Sequence, residues 1–371
     1  VIPASRAETM AGGGNDGAFM ARALELSRQH LGLTGTNPSV GCVVVKNGEI
    51  VGEAVTAVGG RPHAETQALE IAGARAEGAD VYVTLEPCSH YGHTPPCANA
   101  LVAAKVARVV VCLTDPDPRV AGRGLSILRN AGIAVEQGLM QQEGRRTLAG
   151  YLTRQTKNRP HVTLKLAVSA DGMLGRRGEE VTITGPEVKQ AVFRLRAESD
   201  GILVGIGTVL SDDPELTVRI PGLEDRSPIR IVMDRKLQIP VTSKLVQTAR
   251  QVPVIVLVGE QAASDETLAE KREQLREAGV EIVHCRDLAS LLRTLAERGL
   301  SSLMVEGGAV VARAFLDAGL VDRIILSEGV VTVGVGGLES PVTASDMPRE
   351  FTLIRSIELG RDRLLEYERS S

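Results

Sequence analysis

Tryptophan is absent from the 371-residue chain, and phenylalanine and tyrosine number four each. So sparse an aromatic set excludes a platform that stacks several nucleobases. No basic tract is present either. Lysine and arginine are scattered against a slight acidic excess, net charge -4, which argues against a nucleic-acid partner but leaves room for a local arginine site for a small anion. The longest uncharged apolar runs, such as Val252 to Val258, fall far short of the roughly 20 residues that span a bilayer, so no membrane partner is expected. Val1 to Thr9 carries neither a long apolar stretch nor an Arg-rich amphipathic pattern; no targeting segment is expected there, and the cytoplasm is the expected location. Five irregularly spaced cysteines are too few for a disulfide framework. Cys42 and Cys112 lie inside valine-rich runs and read as small core hydrophobes. Cys88 and Cys97 sit among Pro, Ser, Gly and His and need another explanation.

What is present is an ordinary globular composition, 43% hydrophobic and 24% charged, in a length that suits two domains. A helix from Asp16, read as its cap, to about His30 precedes strands at 40–45 and 49–55, which flank Lys46-Asn47-Gly48, a tight hairpin turn. A helix over 64–75, a strand at 80–85, a Pro-rich loop, a helix from about Ala98, a strand at 107–113 and a further helix and strand near 123–136 follow. This alternation predicts an α/β layer structure. The polar segment Gln141 to Pro160 breaks it, and a fresh series begins with a strand at 161–169. Further strands are expected at 200–206, 229–234, 253–258, 280–284, 302–305 and 322–328, with helices over 187–197, 264–278, 287–298 and 310–318, and a closing hairpin over 351–359 and 363–367. Two domains, 11–147 and 148–371, are therefore expected.

The first domain carries one chemical constellation. His63-Ala64-Glu65, then Pro87-Cys88 about 22 residues later, then Cys97, supply an imidazole, a carboxylate and two thiols. Those donors suit Zn2+, and three ligands leave a fourth tetrahedral position, the mark of a catalytic site. His63 and Glu65 converge only in a helix's first turn, with which Pro62 is compatible. Zinc acidifies water, and Glu65 can take that proton and deliver it to a leaving amine. The zinc nucleobase deaminases pair H-x-E with P-C-x-x-C; here eight residues, Ser89 to Pro96, separate the cysteines. At this point a structural zinc site with His90 or His93 as fourth ligand, an RNA-editing deaminase with an accessory binding domain, and a nonenzymatic zinc-stabilised interaction protein all stay open.

Asn37-Pro38-Ser39-Val40-Gly41, Pro62-His63-Ala64-Glu65, and the run Thr84-Leu85-Glu86-Pro87-Cys88-Ser89-His90-Tyr91-Gly92-His93-Thr94-Pro95-Pro96-Cys97 resemble the bifunctional riboflavin-biosynthesis deaminase/reductase family. Asp115 to Val120 and Gly122-Arg123-Gly124 extend the likeness. In the second half, Arg159 to Lys165, Ser169 to Gly172, Leu195-Arg196-Ala197, Gly205 to Leu210, Asp212 to Arg219 and Val305-Glu306-Gly307-Gly308 are similar to its reductase part.

The resemblance implies a cytidine-deaminase-like three-layer domain followed by a dihydrofolate-reductase-like domain. It assigns His63, Cys88 and Cys97 to zinc and Glu65 to proton transfer, on a pyrimidine ribosyl phosphate; Asn37, an amide that can donate and accept, suits the ring edge. In the reductase half it implies that Arg196, Leu216, Arg219 and Glu306 meet substrate. Ala167, Thr208, Asp212 and the backbone from Gly308 would meet NADPH. A homo-oligomer assembled through that half is expected. Departures from the family pattern are Thr56 for a His, Thr182 for a Trp, Ala170 for a Leu, Phe193 for a His, and a loop at Gly178 to Glu180 one residue short.

Overall fold

The valine-rich runs become strands and the amphipathic segments helices in the computed structural model, which describes residues 15–91, 95–118, 120–179 and 181–370. Two units result, divided between Asn158 and Arg159.

In the first unit, α1 (Asp16–Arg28) leads to the hairpin β1 (Gly41–Lys46) and β2 (Glu49–Val55), then α2 (Ala64–Ala72) and β3 (Asp80–Val83). After α3 (Cys97–Ala103) come β4 (Arg108–Val111), α4 (Arg123–Asn130), β5 (Ala134–Gln137), α5 (Gln141–Thr147) and α6 (Ala149–Lys157). The sheet order is β2-β1-β3-β4-β5; β1 runs antiparallel to both neighbours, and β3, β4 and β5 are parallel. Two glycines set the layers. A Cβ on Gly41 would lie 1.9 Å from the Ala23 carbonyl oxygen of α1, and one on Gly52 would lie 2.2 Å from that of Ala68 in α2. Gly52 pairs with Val44, three residues from Gly41, so the two positions face opposite sides of the sheet. Helix, sheet and helix therefore form three layers.

Two expectations are corrected here. Asp16 does not cap α1: Asn15 is the N-cap, and the Asp16 carboxylate instead accepts from the Tyr82 hydroxyl at 2.5 Å and from Arg108 at 3.0 Å, pinning α1 to β3 and β4. Nor is Gln141 to Pro160 an unstructured break. It forms α5 and α6, and Leu148 between them and Tyr151 of α6 are buried in the first core. The division accordingly falls eleven residues beyond the expected 147/148.

The second unit contains β6 (His161–Val168), β7 (Met173–Arg176), α7 (Pro186–Ala197), β8 (Gly201–Gly205), α8 (Ile206–Asp212), β9 (Ile229–Met233), α9 (Lys244–Gln247) and β10 (Val254–Val258). It continues with α10 (Glu260–Ser264), α11 (Ala269–Glu277), β11 (Val280–His284), α12 (Leu288–Glu297), β12 (Ser302–Val305), α13 (Ala309–Asp317) and β13 (Arg323–Glu328). It closes with β14 (Gly337–Glu339), β15 (Phe351–Leu359) and β16 (Asp362–Arg369). Nine strands are ordered β11-β10-β9-β8-β12-β6-β13-β16-β15, parallel from β11 to β13, with the final hairpin antiparallel. Successive residues of β8 enter different cores, Leu203 one and Ile202 and Val204 another. The sheet is thus covered on both faces, which is why strands such as β8 and β10 read as continuous apolar runs. Among the described residues no helix is long and apolar enough to cross a membrane.

Candidate functional site

His63 is the N-cap of α2 and Glu65 lies in its first turn, the geometry that the H-x-E spacing requires. Cys97 opens α3, directly after Pro96. Cys88 comes from the segment after β3, where its Sγ accepts from the Cys97 amide at 3.2 Å. His63 Nδ1 then stands 3.6 Å from Cys88 Sγ and 3.3 Å from Cys97 Sγ, and the three ligand atoms lie within 4.8 Å of one another. An ion bonded at about 2.0–2.3 Å to nitrogen and sulfur in a tetrahedral array needs such separations, so the donors fit zinc in both chemistry and spacing. The Cys97 amide at the start of α3, donating to Cys88 Sγ, favours the anionic form of Cys88. Contact with Cys97, and next with His63, draws the Cys88 thiol down to about 4 despite burial; the same thiol contact, together with burial, pushes Cys97 up.

Glu65 is 3% exposed. Burial lifts its carboxyl to about 7, opposed by His63 and reinforced by Cys88. A proton carrier with that affinity serves near neutral pH. His90 does not belong to the three-ligand cluster, so it is not the fourth ligand of a closed site; His93 lies outside the described residues. Cys42 and Cys112 are buried core thiols as read.

Asn37 stands on the loop that joins α1 to β1, with its amide against Gly60. A Cβ on Gly60, at φ +87°, would lie 2.4 Å from Asn37 Nδ2. Thr34 fixes the same turn, its hydroxyl donating to the Asn37 carbonyl at 2.7 Å. Thr56 is buried and prolongs the β1–β2 ladder through Val40, while His30 Nδ1 lies 2.7 Å from the Thr56 carbonyl oxygen. The sequence reading overlooked Glu86. Its buried carboxylate accepts from the amides of Asp115, Gly122 and Gly124 at 3.3, 3.0 and 3.0 Å, and so fixes the start of α4 beside Pro87 and Cys88.

In the second unit Arg196 of α7 and Glu306, after β12, meet fork to fork at 2.8 and 2.7 Å. Arg196 spends its remaining nitrogen on the Thr217 carbonyl at 3.2 Å. Arg196, expected to meet substrate, thus has its guanidinium committed to Glu306 and to the loop after α8. That loop holds Leu216, buried at the positive φ of 56°, and Arg219, which is exposed and pairs with Glu215 at 3.3 Å. Phe193 lies beneath both guanidinium groups, 5.5 Å from Arg196 and 6.0 Å from Arg219.

Lys165 is a further residue that sequence reasoning passed over. Burial lowers its ammonium pKa while Glu306 opposes that and Arg196 adds to it, so the three charges share one pocket. The signal was available, since β6 alternates strictly and Lys165 falls on its partly exposed face.

On the adjacent parallel strands β8 and β12, α8 starts after Gly205 and α13 after Gly308. A Cβ on Gly308 would stand 4.0 Å from Thr208 Oγ1, so these two expected cofactor positions face each other outside the carboxyl ends of the strands, where open α/β sheets bind ligands. Ala167 lies on β6, two strands from β8, and Asp212 ends α8, exposed. Asp171 caps the segment at 333–334 through two amides, a turn role. Thr182 is exposed.

Residues 14–113 match the cytidine and deoxycytidylate deaminase zinc-binding region, and residues 160–365 the RibD C-terminal domain. Riboflavin biosynthesis protein RibD of Escherichia coli is 43% identical over 324 residues, which cover 84% of this chain and 86% of that protein. RibD of Aquifex aeolicus is 40% identical over 86% of this chain and 88% of its own length. The structure of Acinetobacter baumannii RibD superposes with a TM-score of 0.84 at 36% identity, over 96% of this chain and 99% of that one. A deaminase/reductase from Thermotoga maritima gives 0.84 at 33% identity, over 95% and 98%.

Proposed function

The chain belongs to the RibD family of bifunctional deaminase/reductases of riboflavin biosynthesis, and from that premise we propose which of its side chains carry each half-reaction. Family membership over most of the chain replaces the RNA-editing and nonenzymatic readings.

In the first half, His63, Cys88 and Cys97 hold the metal, read as zinc. When bound, the ion supplies a Lewis acid that lowers the pKa of water toward about 7. Asn37 orients the edge of the diaminopyrimidine ring. Glu65 takes a proton from the attacking water at its carboxylate and returns it to the 2-amino group, which departs as ammonia while oxygen takes its place on the ring. The observation that carries this reading is the meeting of one imidazole nitrogen and two thiols beside a buried carboxyl at about 7.

In the second half, NADPH, when bound, supplies the hydride that converts the ribosyl group to ribityl. Thr208, Gly308, Ala167 and Asp212 line its cleft. Glu306, aligned by Arg196, accepts from the sugar hydroxyls. Lys165 lies beside it as the proton donor for the ring oxygen that is released when C1 receives the hydride. Leu216 and Arg219 hold the pyrimidine and its phosphate. A homo-oligomer assembled through this unit is consistent with the exposed valines Val330, Val331 and Val335, and sedimentation of the full chain tests it. A cytoplasmic location belongs to the same reading.

The purified chain, given the diaminopyrimidine ribosyl phosphate, is expected to release ammonia without NADPH and to consume NADPH only afterwards. Glu65→Ala should lower ammonia release at least about 100-fold yet still reduce the deaminated pyrimidine. Full deamination by that variant would overturn the assignment of Glu65.

A further inference from the structure

β9 reads Ile229-Arg230-Ile231-Val232-Met233, one cation in an apolar run on a strand enclosed between β8 and β10. Arg230 is 0% exposed. It falls on the same side of the sheet as Val232, which lies in the core that also holds Ile202, Val254 and Leu216. Among the described residues its guanidinium meets no carboxylate. Nη1 donates to the Glu215 carbonyl at 3.2 Å and to the Thr248 hydroxyl at 2.7 Å, Nη2 donates to the carbonyls of Thr248 at 3.0 Å and of Val252, and Nε is buried without a partner. Burial lowers its pKa to about 10, against Glu215, so the side chain is a cation at neutral pH. A buried charge without a counter-ion costs stability that an apolar side chain would not. Packing therefore does not account for an arginine at this position; its fork of donors does.

What the fork grips is the peptide that enters Leu216. Leu216 stands at φ 56°, a conformation that costs a residue other than glycine. Its side chain is buried in the core, the residue being 4% exposed, so a ligand meets Leu216 through its main chain. The direction of that main chain is set from both sides. Arg230 takes the Glu215 carbonyl before it, and Arg196 takes the Thr217 carbonyl after it at 3.2 Å. The Val218 amide donates to the Ser227 hydroxyl at 3.0 Å. At the start of the same loop the Asp213 carboxylate accepts from the Lys244 amide of α9 at 2.9 Å. Of these ties, Arg230 alone comes from a central strand, and it binds the loop to Thr248, the C-cap of α9. Four residues beyond Glu215, the chain reaches the exposed Arg219.

We propose that Arg230 is a positioning residue of the reductase half: from inside the core it fixes the peptide before Leu216 and thereby holds Leu216 and Arg219 in the geometry that receives the pyrimidine ribosyl phosphate. It rests on the reading given above, in which Leu216 and Arg219 hold that substrate. Arg230 touches neither substrate nor cofactor. Its contribution is the shape of the loop before the substrate arrives, so that binding does not have to order it.

The test measures NADPH-dependent reduction of the deaminated pyrimidine by the full-length parent, Arg230→Met, Arg230→Lys and Arg219→Ala, with thermal melts to show that each is folded. Arg230→Met is expected to raise KM for the pyrimidine roughly 10-fold, with kcat, KM for NADPH and ammonia release as in the parent. Arg230→Lys, which keeps a cation and one donor group, should fall between the two. In the double variant Arg219→Ala/Arg230→Met the rises in KM should be less than multiplicative, because one residue acts through the other. A folded Arg230→Met with the parent's KM, or one whose kcat falls with the folded fraction while KM stays, would overturn the positioning role. If Arg230→Met does not fold, Arg230→Lys decides the question: a KM above the parent's at unchanged kcat supports the role, and the parent's KM overturns it. A raised KM in Arg219→Ala together with the parent's KM in the Arg230 variants would leave the substrate reading standing and remove only the role of Arg230. The parent's KM in Arg219→Ala would overturn the substrate reading itself, and the positioning role with it.

Discussion

The hydroxyl of Tyr151 lies 3.0 and 3.1 Å from the two carboxylate oxygens of Asp115, joining α6 to the loop that follows β4. One turn further along the same helix, Arg154 donates to the carbonyl of Thr36, next to Asn37. A helix thus braces two loops that flank the deaminase pocket from positions i and i+3, which share one face. Burial lifts Asp115 to about 6, with the Asp117 amide and Tyr151 acting against it.

The shift at Asp115 has a definite sign. A folded-state pKa above the unfolded value near 3.9 means that folding takes up a proton between about pH 4 and pH 6. This contribution, at most about 3 kcal/mol, is fully present below pH 4 and is lost as pH rises through 6. Asp115→Asn keeps an acceptor for Tyr151 and should flatten that decline in urea midpoints measured from pH 4 to 7; an unchanged slope counts against it.

Asp322 should behave in the opposite sense. Although burial raises its carboxyl, the fork of Arg159 holds it down at about 2. Its share of stability is present above about pH 4 and is lost as pH falls through 2. Asp322→Asn should weaken the second unit at neutral pH by about 2 kcal/mol and remove part of its acid sensitivity between pH 4 and 2, read by thermal melts across that range.

Removing the metal should separate the two activities. Dialysis against a chelator is expected to abolish ammonia release and leave NADPH-dependent reduction of the deaminated pyrimidine intact, with recovery on adding about one equivalent of zinc. Reduction lost in parallel would contradict independent sites.

Breaking the Arg196–Glu306 pair should cost more than a surface ion pair, because the side chains are only 13% and 10% exposed. Glu306→Gln strands a buried guanidinium and should destabilise the second unit by about 3–5 kcal/mol while abolishing reduction. The double variant Arg196→Met/Glu306→Leu should recover much of the stability and none of the activity, measured by denaturant unfolding and NADPH oxidation.

Legibility in the sequence followed apolar content. The strands at 201–205, 229–233, 254–258, 302–305 and 323–328 are within a residue of their expected limits because most of their residues are buried whichever face they point to. Segment 141–157 escaped notice because it buries few apolar side chains, chiefly Leu148 and Tyr151, in an otherwise polar run. The short β7 and β14 lack a buried face and left no alternation to read. At the site, His63, Glu65, Cys88 and Cys97 were legible because short elements carry them in one supersecondary unit. The pairing of Arg196 with Glu306 spans 110 positions, and no local pattern encodes a contact of that range. Lys165 was visible only as a charge on a strand, which is ambiguous until Glu306 is placed beside it.

The strand order of the second unit also bears on how it is made. β12, residues 302–305, is inserted between β8 and β6, which precede it by about a hundred residues and more. Until that late segment emerges from the ribosome, the two earlier strands have no common neighbour and their apolar edges stay unpaired. The cleft between the starts of α8 and α13 is consequently among the last features a nascent chain can complete, whereas every residue of the deaminase centre has by then long been synthesised.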